Sequence, residues 1–321
     1  MDVEIITIGD ELISGHTVDS NAAHIAERLT NGGLTVSRIT SVGDSPDVMV
    51  EVFQQALRRA PVVITSGGLG PTDDDQTKKA IVKLFKRNLV FHEEVLEDIR
   101  ARYAQRGIEM PAINQNQALL PQGATLFPNR IGSAMGICIE EDDRIFISLP
   151  GVPAEMRQIL NDSVLPFLKD RKGPGALKII KLRTTGIIES KLAEKIKPDL
   201  KLEPGVRLAY LPSYGGIDLR IMATGESESD AKEKARSLAR HLESACGRYI
   251  YGSGSDTLEG VVGQLLKDND RTLSVAESCT GGQLGELITS VPGSSAYFVG
   301  GVVAYSNEVK QQQLGVPERI L

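Results

Sequence analysis

Apolar residues in the first half of the chain follow two alternating rhythms. Unbroken runs such as "VEIITIG", "LTVSRITSV" and "PVVIT" have the length and β-branched content of strands buried in a parallel sheet. Between them the spacing becomes helical. In "DSNAAHIAERLTNGG" the residues Ala22, Ala23, Ile25, Ala26 and Leu29 share one face, with Asp19 or Ser20 as N-cap and Asn31-Gly32 as the stop. "SPDVMVEVFQQALRR" places Ser45 as N-cap and Pro46 as first helical residue. A helix beginning near Asp73 would turn Ala80, Ile81, Leu84 and Phe85 toward the sheet. Strands interleaved with helices predict an α/β unit with a doubly wound, mostly parallel sheet. Ligands of such sheets bind beyond the carboxyl ends of the strands, where "GDELISG" and "SGGLGPTDDD" both fall.

Beyond a candidate linker, "RKGPG" (171–175), the pattern changes. Strands "LKIIKLRTT", "VRLAYLP" and "IDLRIMATG", a turn "SYGG", helix "ESKLAEKI" and the charged helix "SDAKEKARSLARHLESA" predict a small α+β unit over 176–252. After a second break at "SGSD", strand and helix signals predict the start of a third, α/β unit over 256–321. That stretch is short for a core of its own and reads as cut off.

Composition narrows the partners. Thirty-six basic against forty-two acidic side chains give a net charge of −6, and only 4% of residues are aromatic, so nucleic acid is not an expected partner. No apolar run approaches the roughly 18 residues of a membrane span. The acidic, strand-like N-terminus is no signal peptide. Cys138, Cys246 and Cys279 are odd in number and far apart, which suits a reducing cytoplasm.

The stretch "ITSGGLGPTDDDQTKKAI" (64–81) carries the first candidate chemistry. Gly67, Gly68 and Gly70 would let the backbone approach phosphate groups. Asp73, Asp74 and Asp75 follow at once, and acids are favoured at a helix N-terminus. That preference accounts for one or two aspartates, whereas a third adds like-charge repulsion. A hard divalent cation held by Asp73 and Asp74, with Asp19 beside them, would reconcile carboxylates with phosphates and make loop and acids one diphosphate site. Asp10 and Glu11 emerge from the first strand end, and Asp19 and Asn21 open the next helix. Asp19 is equally well read as a plain cap.

Together, "GDELISG…DSN", "TSGGLGPTDDDQT", "PNRIGSAMG" and "LPGVPAEM" resemble the N-terminal domain of the CinA family over most of residues 1–170. The resemblance implies a three-layer, molybdopterin-binding-like domain and metal-dependent hydrolysis of ADP-ribose by a homodimer, with Mg²⁺ or Co²⁺ and possibly K⁺. It implies substrate contacts at Gly9, Asp10, Glu11, Asn21, Ser66, Gly67, Gly68, Gly70, Thr72, Asn129 and Gly132, and catalysis by Asp73, Asp74 and Asp75. Met135 stands where the family pattern has proline. Residues 176–252 resemble the family's KH-like domain. They lack the G-x-x-G loop of RNA-binding KH domains, so a spacer or dimer element is expected.

In the third unit, "VAESCTGG" puts Ser278 at a strand end before Gly281-Gly282, a suitable place for a nucleophile beside helix N–H groups. A capping serine and a surface lysine at Lys310 would give the same spacing, and Cys279 is a competing nucleophile or an ordinary small residue. "AESCTGG" with "AYSNEVK" resembles the CinA C-terminal domain, a nicotinamide mononucleotide (NMN) deamidase. The resemblance implies Ser278 as nucleophile, Tyr305 and Lys310 as its activating partners, and Thr280 and Asn307 in the pocket. Members of the family continue past the point matching Leu321, so a deamidase domain, complete or vestigial, is expected here.

Overall fold

The structure, a computed structural model, describes residues 1–171, 175–213 and 215–321, with the Asp199 side chain excepted. Residues 172–174 of the candidate linker, and Tyr214 of the "SYGG" turn, lie outside the described residues. The chain divides into two compact units, 1–174 and 175–321.

The strands and helices of the first unit are β1 (Asp2–Ile8), α1 (Asp10–Ile13), α2 (Ser20–Asn31), β2 (Thr35–Val42), α3 (Pro46–Arg59), β3 (Val62–Ser66), α4 (Thr77–Leu84), β4 (Leu89–Phe91), α5 (Glu93–Gln105), β5 (Leu119–Pro121), β6 (Thr125–Phe127), β7 (Gly136–Glu141), β8 (Arg144–Leu149), α6 (Pro153–Ile159) and α7 (Leu165–Arg171). A six-stranded sheet runs β2-β1-β3-β8-β7-β6. Its first four strands are parallel; β7 pairs antiparallel with β8, and β6 antiparallel with β7.

Strand alternation builds three layers. Val3, Ile5, Val62 and Ile64 pack with Ile25 and Leu29 of α2 and Met156 and Ile159 of α6. The intervening Ile6, Ile8 and Val63 pack with Phe53 of α3, Ile81 of α4 and Ile99 of α5. The unbroken apolar runs are therefore two alternating faces, both covered. Glu4, 3% exposed on the second face, is held by a two-point ion pair with Arg59 at 2.7 Å.

Two predicted helix starts need comment. Asp19 does cap α2, its carboxylate accepting from the Ala22 N–H at 2.9 Å. The helix after the glycine loop begins at Thr77 rather than near Asp73, so the three aspartates lie in the turn before it.

In the second unit β9 (Ala176–Thr184), α8 (Glu189–Ile196), β10 (Val206–Ser213), β11 (Gly216–Gly225), α9 (Glu228–Cys246) and β12 (Ile250–Ser253) form an antiparallel sheet ordered β10-β11-β9-β12. Leu192 and Ile196 of α8 and Leu238 and Leu242 of α9 cover it through Leu182, Leu219 and Ile221. The remainder comprises α10 (Leu258–Asp268), β13 (Leu273–Glu277), α11 (Gln283–Thr289), β14 (Phe298–Val303) and α12 (Asn307–Leu314), with β13 and β14 paired in parallel. Among the described residues no helix is long and apolar enough to cross a membrane.

Candidate active site

Three neighbouring parallel strands, β1, β3 and β8, deliver their carboxyl ends side by side. Their continuations Gly9, Gly67 and Gly151 border one cavity of about 420 Å³, into which the backbone of Gly67, Gly68 and Gly70 also faces. Five acidic residues, Glu11, Asp44, Asp74, Asp75 and Glu155, are also among those that line it. Gly68 has a left-handed φ of 63°, and a Cβ there would overlap the Thr77 hydroxyl, which donates to the Gly67 carbonyl at 3.0 Å. That pairing ties the glycine loop to the first turn of α4.

The aspartate triplet is divided by the turn. Asp75 points back into the loop and accepts from the Gly70 N–H at 2.7 Å, the Thr72 N–H at 3.0 Å and the Thr72 hydroxyl at 2.5 Å. Its placement is that of a loop clasp, not the freely aimed catalytic group expected, and Thr72 is its partner rather than a group aimed at ligand. Asp73 is exposed and does not line this cavity; its carbonyl takes the Gln76 amide. Asp74 lines the cavity with no hydrogen bond or ion pair to hold it among the described residues. A row of three like residues therefore becomes three different environments, because successive turn residues point in different directions.

Asp19 does not join Asp73 and Asp74. Its two oxygens accept from the Ala22 N–H and from the Thr7 hydroxyl at 2.7 Å, and it lines a separate cavity of about 140 Å³ with Glu11, Asn21 and Ser66. Among the described residues no three His, Cys, Asp or Glu side chains gather as a ready metal cage. Asn21 donates to the Ser66 hydroxyl at 3.1 Å and the Gly151 carbonyl at 2.7 Å, and Ser66 donates on to the Pro150 carbonyl. These two residues clamp β3 to the β8 end. Asp10 and Asp44 exchange bonds with each other's backbone N–H, and Asp10 lines neither cavity. Burial raises the Asp44 carboxyl against the Asp10 N–H bond, and the Asp10 and Glu11 charges add to the rise.

Asn129 is fully buried. Its amide donates to the Ala134 carbonyl at 2.9 Å and to Glu155 at 2.5 Å, while its oxygen accepts from the Ile131 and Gly132 N–H groups. It shapes the 129–134 loop and does not face the main cavity. Gly132 leaves room for Glu155, whose carboxylate would overlap a Cβ there. Glu155 also lines a third cavity, of about 230 Å³, with Arg102, Tyr103 and Arg106. Burial raises the Glu155 carboxyl, opposed by the Asn129 bond and the Arg102 charge. Met135, at the departure from the family pattern, packs half-buried against the second-face core.

Sequence reasoning missed Asp44, Gln117 and Glu155 as lining groups. Glu155 stands in the quoted "LPGVPAEM" but has no local signature. Asp44 and Gln117 reach the cavity only through tertiary placement.

In the second unit Glu277↔Val303 is the last pair of the β13–β14 ladder, so Ser278 and Tyr305 follow neighbouring strand ends. Ser278 is half-buried, and Cys279 and Tyr305 are exposed. No hydrogen bond joins Ser278, Tyr305 and Lys310 among the described residues; Lys310 reaches Asn307 at 3.5 Å. Thr280 and Asn307 open the turn and helix beyond the two strands, and the Thr280 carbonyl accepts from the Gln283 N–H at 3.1 Å. Burial disfavours the charged form of Glu277, yet N–H bonds from Gly285, Leu284 and Gly282 and the Thr280 hydroxyl outweigh it and hold this carboxyl low.

Comparison with known proteins places these units. Residues 4–170 match the description "Probable molybdopterin binding domain", 181–252 "Damage-inducible protein CinA KH domain" and 255–321 "CinA C-terminal domain". A "CinA-like protein" of Gemmatimonas aurantiaca is 44% identical over 325 residues, covering all of this chain and 76% of the relative. A "Putative competence-damage inducible protein" of Halothermothrix orenii is 42% identical over 98% of this chain and 76% of its own length. A crystal structure titled as CinA with unknown function, from Thermoplasma acidophilum, is 34% identical, covering 53% of this chain and 96% of that one with a TM-score of 0.48.

Proposed function

This chain belongs to the CinA family, and we propose that its first unit is a divalent-cation-dependent hydrolase of ADP-ribose, yielding AMP and ribose 5-phosphate. The carrying observation is the main cavity, where a glycine loop meets several carboxylates. A diphosphate alone would be repelled by that wall, and a cation alone would not need the loop. Asp74, unbonded and facing the cavity, is the residue best suited to hold the cation, with Glu11 near at hand. Mg²⁺ commonly takes one or two protein carboxylates and completes its shell with substrate phosphates and water, so a full protein cage is not required.

When bound, the cation would neutralise the diphosphate and lower the pKa of a bound water. The glycine backbone would orient the phosphates, and the Asp75 clasp would keep the loop in shape. Glu155 and Asp44, whose carboxyls burial raises, line the same cavity and are the carboxylates assigned to accept the proton of the attacking water. Water adds to one phosphorus, the bridging oxygen leaves with the other phosphate, and the proton passes to the carboxylate.

For residues 255–321 the reading is an NMN amidohydrolase with Ser278 as nucleophile and Tyr305 and Lys310 as its activators, serving pyridine-nucleotide salvage. The support is that Ser278 and Tyr305 follow neighbouring strand ends, with Lys310 in the helix that comes next. A homodimer in the cytoplasm, and K⁺ as an additional ion, complete the proposal.

Incubation of the purified chain with ADP-ribose and Mg²⁺ or Co²⁺, with and without chelator, tests the first activity. Chelator-sensitive AMP supports it. Binding of ADP-ribose without AMP formation would instead leave a non-catalytic nucleotide- or pterin-binding module. Ammonia release from NMN, lost in Ser278→Ala, is the matching test for the C-terminal domain.

A further inference from the structure

Gln117 lines the main cavity from the 3-10 helix Ala112–Ala118, remote in sequence from every motif of the site. It is 1% exposed, and among the described residues its amide Nε2 has no hydrogen-bond partner. Buried amide donors are nearly always paired, and an unpaired one destabilises the free protein. The short helix is anchored where it carries Gln117. Lys78 donates to the neighbouring Asn116 carbonyl at 2.6 Å, and the Asn114 amide meets the Tyr103 hydroxyl at 2.5 Å. The side chain therefore cannot gain a partner by swinging the helix into water.

We propose that Gln117 is a substrate-binding residue of this site, its amide donating to a phosphoryl oxygen of the bound diphosphate. The inference rests on the diphosphate reading of the cavity. It assigns Gln117 a task that the carboxylate wall cannot perform, since ionised carboxylates accept hydrogen bonds but do not donate them. A neutral donor also favours anionic oxygen without competing with a cation for the wall's acidic side chains. The orphan donor is then explained as a group kept for ligand: its cost in the free protein is offset only on binding.

The test uses the whole chain with the α,β-methylene analogue of ADP-ribose and Mg²⁺, measured by calorimetry, and thermal unfolding of the unliganded proteins. Gln117→Met keeps the shape and removes the donor, and Gln117→Glu replaces it with an acceptor. Methionine should weaken binding by about tenfold, the value of one bond to a charged group, with an unliganded midpoint equal to or above that of the parent. Glutamate should weaken binding further. Unchanged binding in Gln117→Met, while the parent binds, would overturn the role of Gln117 and leave the diphosphate reading intact. A lower unliganded midpoint in Gln117→Met would also overturn it, because the amide would then be satisfied in the free protein. No binding of the analogue by the parent would overturn the diphosphate reading and this inference together.

Discussion

Replacing Asp75 by asparagine should loosen the glycine loop without touching the group that faces the cavity. Asp75 accepts three bonds, from two N–H groups and one hydroxyl within its own turn. Bonds to a charged acceptor contribute about 1.5–3 kcal/mol each in mutational series, and less where water competes, as it does at this half-exposed turn. Asparagine keeps one acceptor oxygen and turns an NH₂ toward a remaining donor. With one bond retained and two lost or weakened, the loop should open about 2 kcal/mol more easily. At 1.4 kcal/mol per factor of ten, amide exchange at Gly70 and Thr72 should accelerate roughly 30-fold. Hydrogen exchange followed by mass spectrometry of peptides spanning 66–78 measures this directly. Asp74→Asn is the paired control. It has no bond to lose, so exchange should stay at the parental rate while AMP formation is lost. Parental exchange in Asp75→Asn would refute the clasp, and accelerated exchange in Asp74→Asn would refute the division of labour between the two residues.

Lys78 is nearly excluded from water, and burial pushes its ammonium down to about 8, with the Asp75 charge pulling the other way. The unfolded chain holds this proton up to about 10.5, so stability should fall as pH drops from 10.5 to 8 and level off below. In Lys78→Met that slope should vanish, read as the difference in urea midpoints between the two proteins across the window. Equal slopes would show that Lys78 titrates normally. Glu277 has a slope of the same direction in an acid window: its lowered carboxyl contributes stability at neutral pH that is lost as pH falls from the ordinary glutamate range to below it. Glu277→Gln should speed exchange at the Leu284 and Gly285 amides at pH 7, where the parent protects them through bonds of 2.9 and 2.8 Å.

How far the sequence could be read depended on the range of the force that placed each residue. The layers of the first unit were legible because alternation along "VEIITI" is imposed by a strand's own geometry, and Asp19 was recognisable as a cap because it bonds three residues ahead. Ser45 also occupies its predicted N-cap position, but without a side-chain bond, since propensity fixes position more reliably than contact. Gln117 left no trace in "INQNQALLP", a polar run that reads as loop. Its burial comes from packing that only the folded chain supplies. Asn129 was found by resemblance, yet it serves the loop it sits in, bonding Ala134, Ile131, Gly132 and Glu155. The aspartate triplet marks the limit most sharply. Charge and adjacency made the triplet a single site for cation and catalysis, but adjacent residues in a turn cannot share a direction. Sequence could show that carboxylates meet a glycine loop; it could not show that Asp75 would hold that loop shut, Asp73 would face water, and Asp74 alone of the three would face the cavity with its oxygens uncommitted.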